Sequence, residues 1–100
     1  MRRRFGTIAV YMMANQKNGT LYCGVTSDLG ARILAHREGR GSRFCQRYGC
    51  SRLVWYEVHE LISEAIFREK ILKKWRRQWK IDLIESANPD WRDLWFELTD

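Results

Sequence analysis

The sequence predicts an α+β layered domain whose elements run strand, strand, helix, strand, helix, helix (β-β-α-β-α-α). Three observations carry this expectation. Two short runs rich in β-branched and aromatic residues, Thr7 to Met13 and Thr20 to Val25, flank the turn-like segment Asn15-Gln16-Lys17-Asn18-Gly19. A third such run, Arg52 to His59, stands apart. From Ser63 onward the apolar residues recur at helical spacing.

Each element follows from local chemistry. Asn18-Gly19 supplies the positive φ angles of a turn, so the first two runs make a β-hairpin. Thr26-Ser27-Asp28 offers three residues able to cap a helix, and Gly39 terminates it, which places a helix from about Asp28 to Glu38. Gly39-Arg40-Gly41-Ser42-Arg43 reads as a flexible basic loop and Phe44 to Gly49 as a short turn of helix. In the third strand Leu53 and Trp55 alternate with Val54, Tyr56 and Val58, so both faces are expected to be covered and the strand to be central. The long helix, Ser63 to about Trp79, carries two apolar stripes, Ala65, Leu72 and Trp79 against Phe67, Ile71 and Trp75, as if sandwiched between layers. Ile81 to Ser86 continues or restarts a helix. Asn88-Pro89-Asp90 reads as a new N-terminus, with Asn88 as cap, leading a final helix that carries Trp91, Leu94 and Trp95. One hundred residues without repeat, low-complexity tract or linker make a single domain, 1–100.

Hydrophobic residues at 45% and charged residues at 30% are the proportions of a folded chain rather than a disordered one. Lys and Arg number 18 against 12 Asp and Glu, a formal charge of +6. A polyanion is the natural partner, either nucleic acid or an anionic membrane surface, unless the basic surface is inert. No stretch is long enough to span a bilayer. Cys23, Cys45 and Cys50 form no CxxC pair, which argues against a disulfide framework and a zinc module and for a reducing cytoplasm. Cys45 and Cys50 with His36 or His59 lack the spacing of a zinc site. Met1-Arg2-Arg3-Arg4 before the apolar run Phe5 to Ala14 superficially resembles a secretory signal. Gly6 and Thr7 interrupt that run, and its removal would strip the second strand of its partner.

Several side chains could do chemistry. Tyr11 and Tyr22 lie on the two strands of one hairpin and can converge on a site, or serve as ordinary strand aromatics in a core. Asp28, Arg32 and His36 are spaced by four on one helix face, either an Asp-Arg pair on a solvated face or a cation beside a titratable imidazole. Glu69 lies four residues after Ala65 and three before Leu72, close to a buried stripe. A carboxylate there needs a cation, whether a lysine or a metal ion.

Taken together, Ala9-Val10-Tyr11, Tyr22-Cys23-Gly24, Val25-Thr26-Ser27-Asp28-Leu29, Arg32, His36 and Glu64-Ala65-Ile66-Phe67-Arg68-Glu69-Lys70 resemble the GIY-YIG nuclease superfamily. Within it the chain is similar to small stand-alone bacterial proteins related to the catalytic domain of structure-specific repair nucleases. The resemblance covers about residues 7 to 95 and includes Lys74-Trp75-Arg76-Arg77 and Asn88-Pro89-Asp90-Trp91-Arg92-Asp93-Leu94. It implies a small three-stranded antiparallel sheet flanked by helices and a divalent-metal-dependent endonuclease acting on DNA. It further implies that Tyr11 and Tyr22 are the motif tyrosines, Arg32 the catalytic arginine, His36 a histidine found in part of the superfamily, and Glu69 the carboxylate for Mg²⁺ or Mn²⁺. Two positions depart from the pattern: Ala9 stands where the first motif opens with glycine, and Cys23 replaces a larger aliphatic residue. The asparagine that other branches carry after the long helix, near Trp79 and Lys80, has no counterpart.

For DNA contact the sequence offers Arg40, Arg43 and Arg47 in the loop and Lys73, Lys74, Arg76 and Arg77 along the long helix. Such phosphate contacts give salt-dependent affinity and little sequence discrimination, so selectivity is expected from DNA shape, ends or junctions, or from a protein partner. A monomer or weak dimer is expected. The rivals to a nuclease are a non-cleaving nucleic-acid-binding module of the same fold and an interaction protein that docks through Trp91 and Trp95. For the latter residues, packing of the last helix is the simpler account.

Overall fold

The computed structural model describes residues 6–98, so Met1 to Phe5 of the basic leader-like stretch lie outside it. Its elements are β1 (Ala9–Ala14), β2 (Leu21–Thr26), α1 (Leu29–Arg37), α2 (Arg43–Tyr48), β3 (Arg52–Val58), α3 (Ile62–Lys74) and α4 (Arg77–Ala87), followed by a short 3₁₀ turn over Leu94–Glu97. This is the expected order of elements, and the three strands form an antiparallel sheet in the order β2-β1-β3.

The strand β1 is the centre of the molecule, because all six of its residues are buried and it pairs on both sides. Its side chains alternate between two cores. Ala9, Tyr11 and Met13 pack with Leu29 and Ile33 of α1, Cys45, Cys50, Leu53, Leu94, Trp95 and Leu98. Val10, Met12 and Ala14 pack on the other face with Cys23, Val54, Trp55, Ala65 and Leu72 of α3, Ile84 of α4 and Trp91. Trp91 is fully buried and Trp95 is 8% exposed, so both serve cores rather than a docking face.

Several expectations are corrected. The strand β3 is an edge strand, not a central one; it is apolar on both faces because Leu53 joins one core and Val54 and Trp55 the other, and the C-terminal segment closes its free edge. The Leu53 amide donates to Asp93 Oδ1 at 3.2 Å, and Asn88 Nδ2 donates to the Val54 carbonyl at 3.0 Å, satisfying backbone groups that an open edge leaves bare. The alternation in β3 also breaks. A register shift pairs Met12 with Trp55 but Met13 with Leu53, so Val54 is extra, and Val54 and Trp55 both enter the α3 core.

The long helix does not reach Trp79. Trp75 and Arg76 take extended backbone angles, with ψ of 147° and 155°, and α4 starts afresh at Arg77. No glycine or proline marks the break, so the apolar periodicity reads straight across it. Nor is α3 sandwiched: Phe67 is 67% exposed, and only Ala65 and Leu72 of the helix are buried. The final helix is replaced by a turn and four 3₁₀ residues capped by Asp93. Asn88 ends α4 instead of starting a helix, because its amide is spent on the Val54 and Arg92 carbonyls while its Oδ1 accepts from the Arg92 amide.

Candidate active site

The site begins with the position of Tyr11 on the central strand. In the β1–β2 register Tyr11 faces Gly24, and Tyr22 faces Met13, so the two tyrosines are diagonal neighbours rather than directly opposed. The missing side chain at Gly24 is what lets Tyr11 lie flat across β2. A Cβ there would stand 2.6 Å from both Cζ and the hydroxyl of Tyr11. The Tyr11 and Tyr22 rings lie 6.3 Å apart between centroids.

Helix α1 supplies the other groups. Asp28 is its N-cap, accepting from the Ala31 amide at 3.2 Å and the Gly6 amide at 3.0 Å, so its carboxylate serves the backbone rather than an Asp-Arg pair. One turn on, exposed Arg32 brings its positive charge close enough to Tyr11 to favour the ionised phenol. One turn further His36 is buried, 5% exposed, with Nε2 2.9 Å from the Tyr11 hydroxyl. The His36 ring sits 5.6 Å from that of Tyr11 and 5.7 Å from that of Tyr22, closing a triangle of three rings. Phe44 of α2 extends this wall, 5.9 Å from Tyr22.

Burial sets the protonation of this triangle. Desolvation, joined by the neighbouring Tyr22, pushes the Tyr11 phenol well above its ordinary value, against the pull of Arg32. Desolvation and the Arg32 charge pull His36 down to about 4. At neutral pH the pair is therefore a neutral phenol hydrogen-bonded to a neutral imidazole, and burial opposes charging either one. The other ring nitrogen, His36 Nδ1, is buried without a hydrogen-bond partner.

Glu69 stands elsewhere. It belongs to α3, on the opposite layer of the sheet, and its side chain is 13% exposed with Lys73 Nζ at 3.2 Å. Its charge is felt by Cys23, whose thiol is pushed up to about 11 by burial first and by Glu69 second. Tyr22 and Cys23 are adjacent residues of edge strand β2, and their side chains pack with opposite cores. The tyrosine cluster and Glu69 thus lie on opposite faces of the sheet at edge strand β2. Among the described residues no three His, Cys, Asp or Glu side chains cluster, and His59 pairs with Glu57 at 2.9 Å.

The basic residues fall into two groups. Arg40 pairs with Glu38, Arg43 opens α2, and Arg47 lies over the Tyr48 ring at 5.6 Å. At the α3–α4 junction Lys73 pairs with Glu69, Lys74 is exposed, Arg76 stacks on Trp79 at 4.8 Å, and Arg77 is tied to the carbonyls of Asn18 and Gly19 at 2.8 and 2.7 Å. A cleft of about 710 Å³ lies away from all of these, lined among others by Asn15, Arg52, Asp93 and Phe96. It holds no tyrosine. Its cations are already engaged, Arg92 with Glu97 and Arg52 with the Trp91 carbonyl.

A family model described as the GIY-YIG catalytic domain matches residues 7–82. The chain belongs to the GIY-YIG family. It is 34% identical over 70 residues to a UPF0213 protein of Staphylococcus epidermidis, spanning 70% of this chain and 85% of that one. It is 37% identical over 69 residues to a UPF0213 protein of Staphylococcus aureus, spanning 69% and 84%. Its fold also matches the solution NMR structure of a UPF0213 protein from Bacillus halodurans, with a TM-score of 0.55, 28% identity, and coverage of 87% of this chain and 92% of that one.

In this GIY-YIG domain two site residues escape a reading of the sequence. Gly41, in what reads as a flexible loop, packs directly on His36: a Cβ there would meet Nδ1 at 2.1 Å. Phe44 reads as part of a minor helical turn, yet it walls the Tyr22 side of the triangle. Nothing in local periodicity reports either, because both contacts cross from α2 and its leading loop to other elements.

Proposed function

We propose that this GIY-YIG protein is a divalent-metal-dependent endonuclease that hydrolyses phosphodiester bonds in DNA, selecting ends, branches or other structures, in repair or recombination. The observation that carries the reading is the convergence of Tyr11, Tyr22, His36 and Arg32 at one strand edge, with the carboxylate of Glu69 flanking that edge from the other side.

The donors fit a hydrated hard cation. Glu69 is a single, mostly shielded carboxylate paired with a half-exposed surface lysine, Lys73, and Mg²⁺ or Mn²⁺ commonly takes one or two carboxylates with water and phosphate oxygens completing the shell. When bound, such an ion would polarise the phosphoryl group and stabilise the leaving oxygen. Everything else is asked of the chain. Arg32, exposed and with its charge felt at Tyr11, turns to the non-bridging phosphate oxygens, which its planar fork suits. That movement uncovers the Tyr11 hydroxyl, which is otherwise fully buried. The hydroxyl takes a proton from the attacking water as its own passes to His36 Nε2, 2.9 Å away; burial first and the Arg32 charge second keep that imidazole neutral, and the negative phosphate favours its charged form. Tyr22, half-buried beside both, positions the water or the phosphate. Arg40, Arg43 and Arg47 on one side and Lys73, Lys74, Arg76 and Arg77 on the other bind backbone phosphates.

A panel of duplex, nicked, flapped, branched and single-stranded DNA, with Mg²⁺, Mn²⁺ or a chelator, tests the reading. Metal-dependent cleavage of at least one substrate is expected. Binding without cleavage under every condition would leave a nucleic-acid-binding module of the same fold.

A further inference from the structure

We propose that the cleft between Trp75 and Trp79 is a second nucleic-acid site, one that receives an unpaired base of a single-stranded or frayed strand. The inference rests on nucleic acid being the partner of the domain, and it names the kind of strand.

Three of the five tryptophans are structural: Trp55, Trp91 and Trp95 are 6%, 0% and 8% exposed. Trp79 is different, with 47% of its surface open to solvent. It stands edge-on to Trp75, centroids 6.0 Å apart at 86°, at the break between α3 and α4. Together with Asp82, Leu83 and Ser86 the two rings line a cleft of about 350 Å³, the scale of a small-molecule pocket. A half-exposed indole at a helix start does nothing for the cores. It is available for stacking.

Charge selects the occupant. Lys73, Lys74, Arg76, Arg77 and Lys80 fall at the same junction in the sequence, and Arg76 lies over one face of the Trp79 ring at 4.8 Å, setting a cation against the indole. Lys74 and Lys80 have no carboxylate partner among the described residues. A separate cleft of about 310 Å³, lined by Thr20, Leu21, Arg77 and Lys80, places two of these cations, also from α4, around an opening that a phosphate could enter. Aromatic faces beside a cationic track are the combination that holds single strands, because every base has a π-face and every linkage a charge. An apolar peptide or a lipid tail fits less well: Asp82 sits in the cleft with Oδ1 accepting from Gln78 Nε2 at 2.9 Å and would be desolvated without a new donor. A base brings donors. The exocyclic amino groups of guanine, cytosine and adenine suit the other Asp82 oxygen and the Ser86 hydroxyl, whose own proton is given to the Leu83 carbonyl at 2.7 Å. In a duplex those faces are stacked and those edges paired, so a fully paired strand cannot use the cleft.

The test is fluorescence anisotropy with a labelled single-stranded oligonucleotide, the duplex of the same sequence, and a single strand carrying abasic positions, all in chelator so that nothing is cut. The expected result is that Trp79→Ala weakens the single strand about tenfold while duplex affinity is unchanged, and that Trp79→Phe retains most of the binding. Abasic positions should reproduce the loss on the unaltered protein, a measurement that needs no variant to fold. Equal weakening of single strand and duplex by Trp79→Ala would overturn the proposal, as would undiminished binding of the abasic strand. So would a change of oligomeric state in Trp79→Ala with DNA binding intact, which would make the face a self-association surface. Cleavage plays no part in the readout: Trp79-dependent strand binding by a protein that never cuts would overturn the nuclease reading alone, and cleavage with Trp79-independent binding this one alone.

Discussion

The Tyr11 hydroxyl and His36 Nε2 lie 2.9 Å apart inside the protein, joined by a hydrogen bond that links the central strand to the last turn of α1. If the two act as one base, removing either should cost nearly as much as removing both. Cleavage by Tyr11→Phe and by His36→Gln should each fall by roughly 10²- to 10⁴-fold, the usual worth of a positioned acid or base. The double variant should be little worse than the singles. Multiplicative losses in single-turnover rates would show two independent roles.

The two glycines that fit against this pair make a second prediction. A methyl at Gly41 would meet His36 Nδ1 at 2.1 Å, and one at Gly24 would meet the Tyr11 ring at 2.6 Å. Both rings are buried, Tyr11 at 0% and His36 at 5% exposure, so either must displace packed neighbours to make room. Gly41→Ala and Gly24→Ala should each destabilise the fold by about 1–3 kcal/mol, the ordinary cost of overpacking, as read from urea unfolding. Activity should fall further than stability explains, because the displaced ring carries the hydrogen bond. A Gly41→Ala protein with unchanged unfolding midpoint and rate would show that the loop yields freely.

What the sequence discloses of this arrangement divides along a physical line. Strand alternation and helix spacing are local, and they place Tyr11, Tyr22, Arg32 and His36 on adjoining elements before any coordinates. The packing of Gly41 on His36 and of Asn88 on β3 is not local. Asn88 reads as a helix cap from its neighbours, yet its side chain is spent on Val54, 34 residues away. The break at Trp75 and Arg76 is invisible for a similar reason: no residue there forbids a helix, and the bend answers to the burial of Ile84 beside Leu72 and Trp91. Trp55 likewise changes face through a bulge that pairing with Met12, not its own sequence, imposes. Glu69 is legible as a shielded carboxylate, but its distance from the tyrosine cluster depends on the sheet that lies between them.

Glu69 separates a metal site from a structural ion pair. Its bond to Lys73 links adjacent turns of one helix, with Lys73 half exposed, and such pairs contribute about 0.3–0.5 kcal/mol. Glu69→Gln should therefore leave the unfolding midpoint almost unchanged while abolishing metal-dependent cleavage. Chelation of the unaltered protein should have the same effect, and binding of Mg²⁺ or Mn²⁺, followed by titration calorimetry with a non-cleavable DNA present, should weaken in the variant. Retained, chelator-insensitive cleavage by Glu69→Gln would remove the metal from the assignment.

The neutral state of His36 also predicts how stability responds to acid. Its imidazole is held at about 4 in the folded protein, against an ordinary 6.5 when the chain is unfolded. Above pH 6.5 both states leave it neutral and it contributes no pH dependence. Between about pH 6.5 and 4 the unfolded chain binds a proton that the folded one refuses, so stability falls as pH falls, and below 4 the loss is complete. Because His36 is almost wholly buried, the full loss should approach roughly 3 kcal/mol. Urea unfolding at steps from pH 7.5 to 4.5 should show the decline in the unaltered protein and a flatter profile in His36→Gln, whose amide does not titrate. Parallel profiles for the two proteins would mean that acid acts through other groups, and that the imidazole beside Tyr11 is more easily charged than its burial implies.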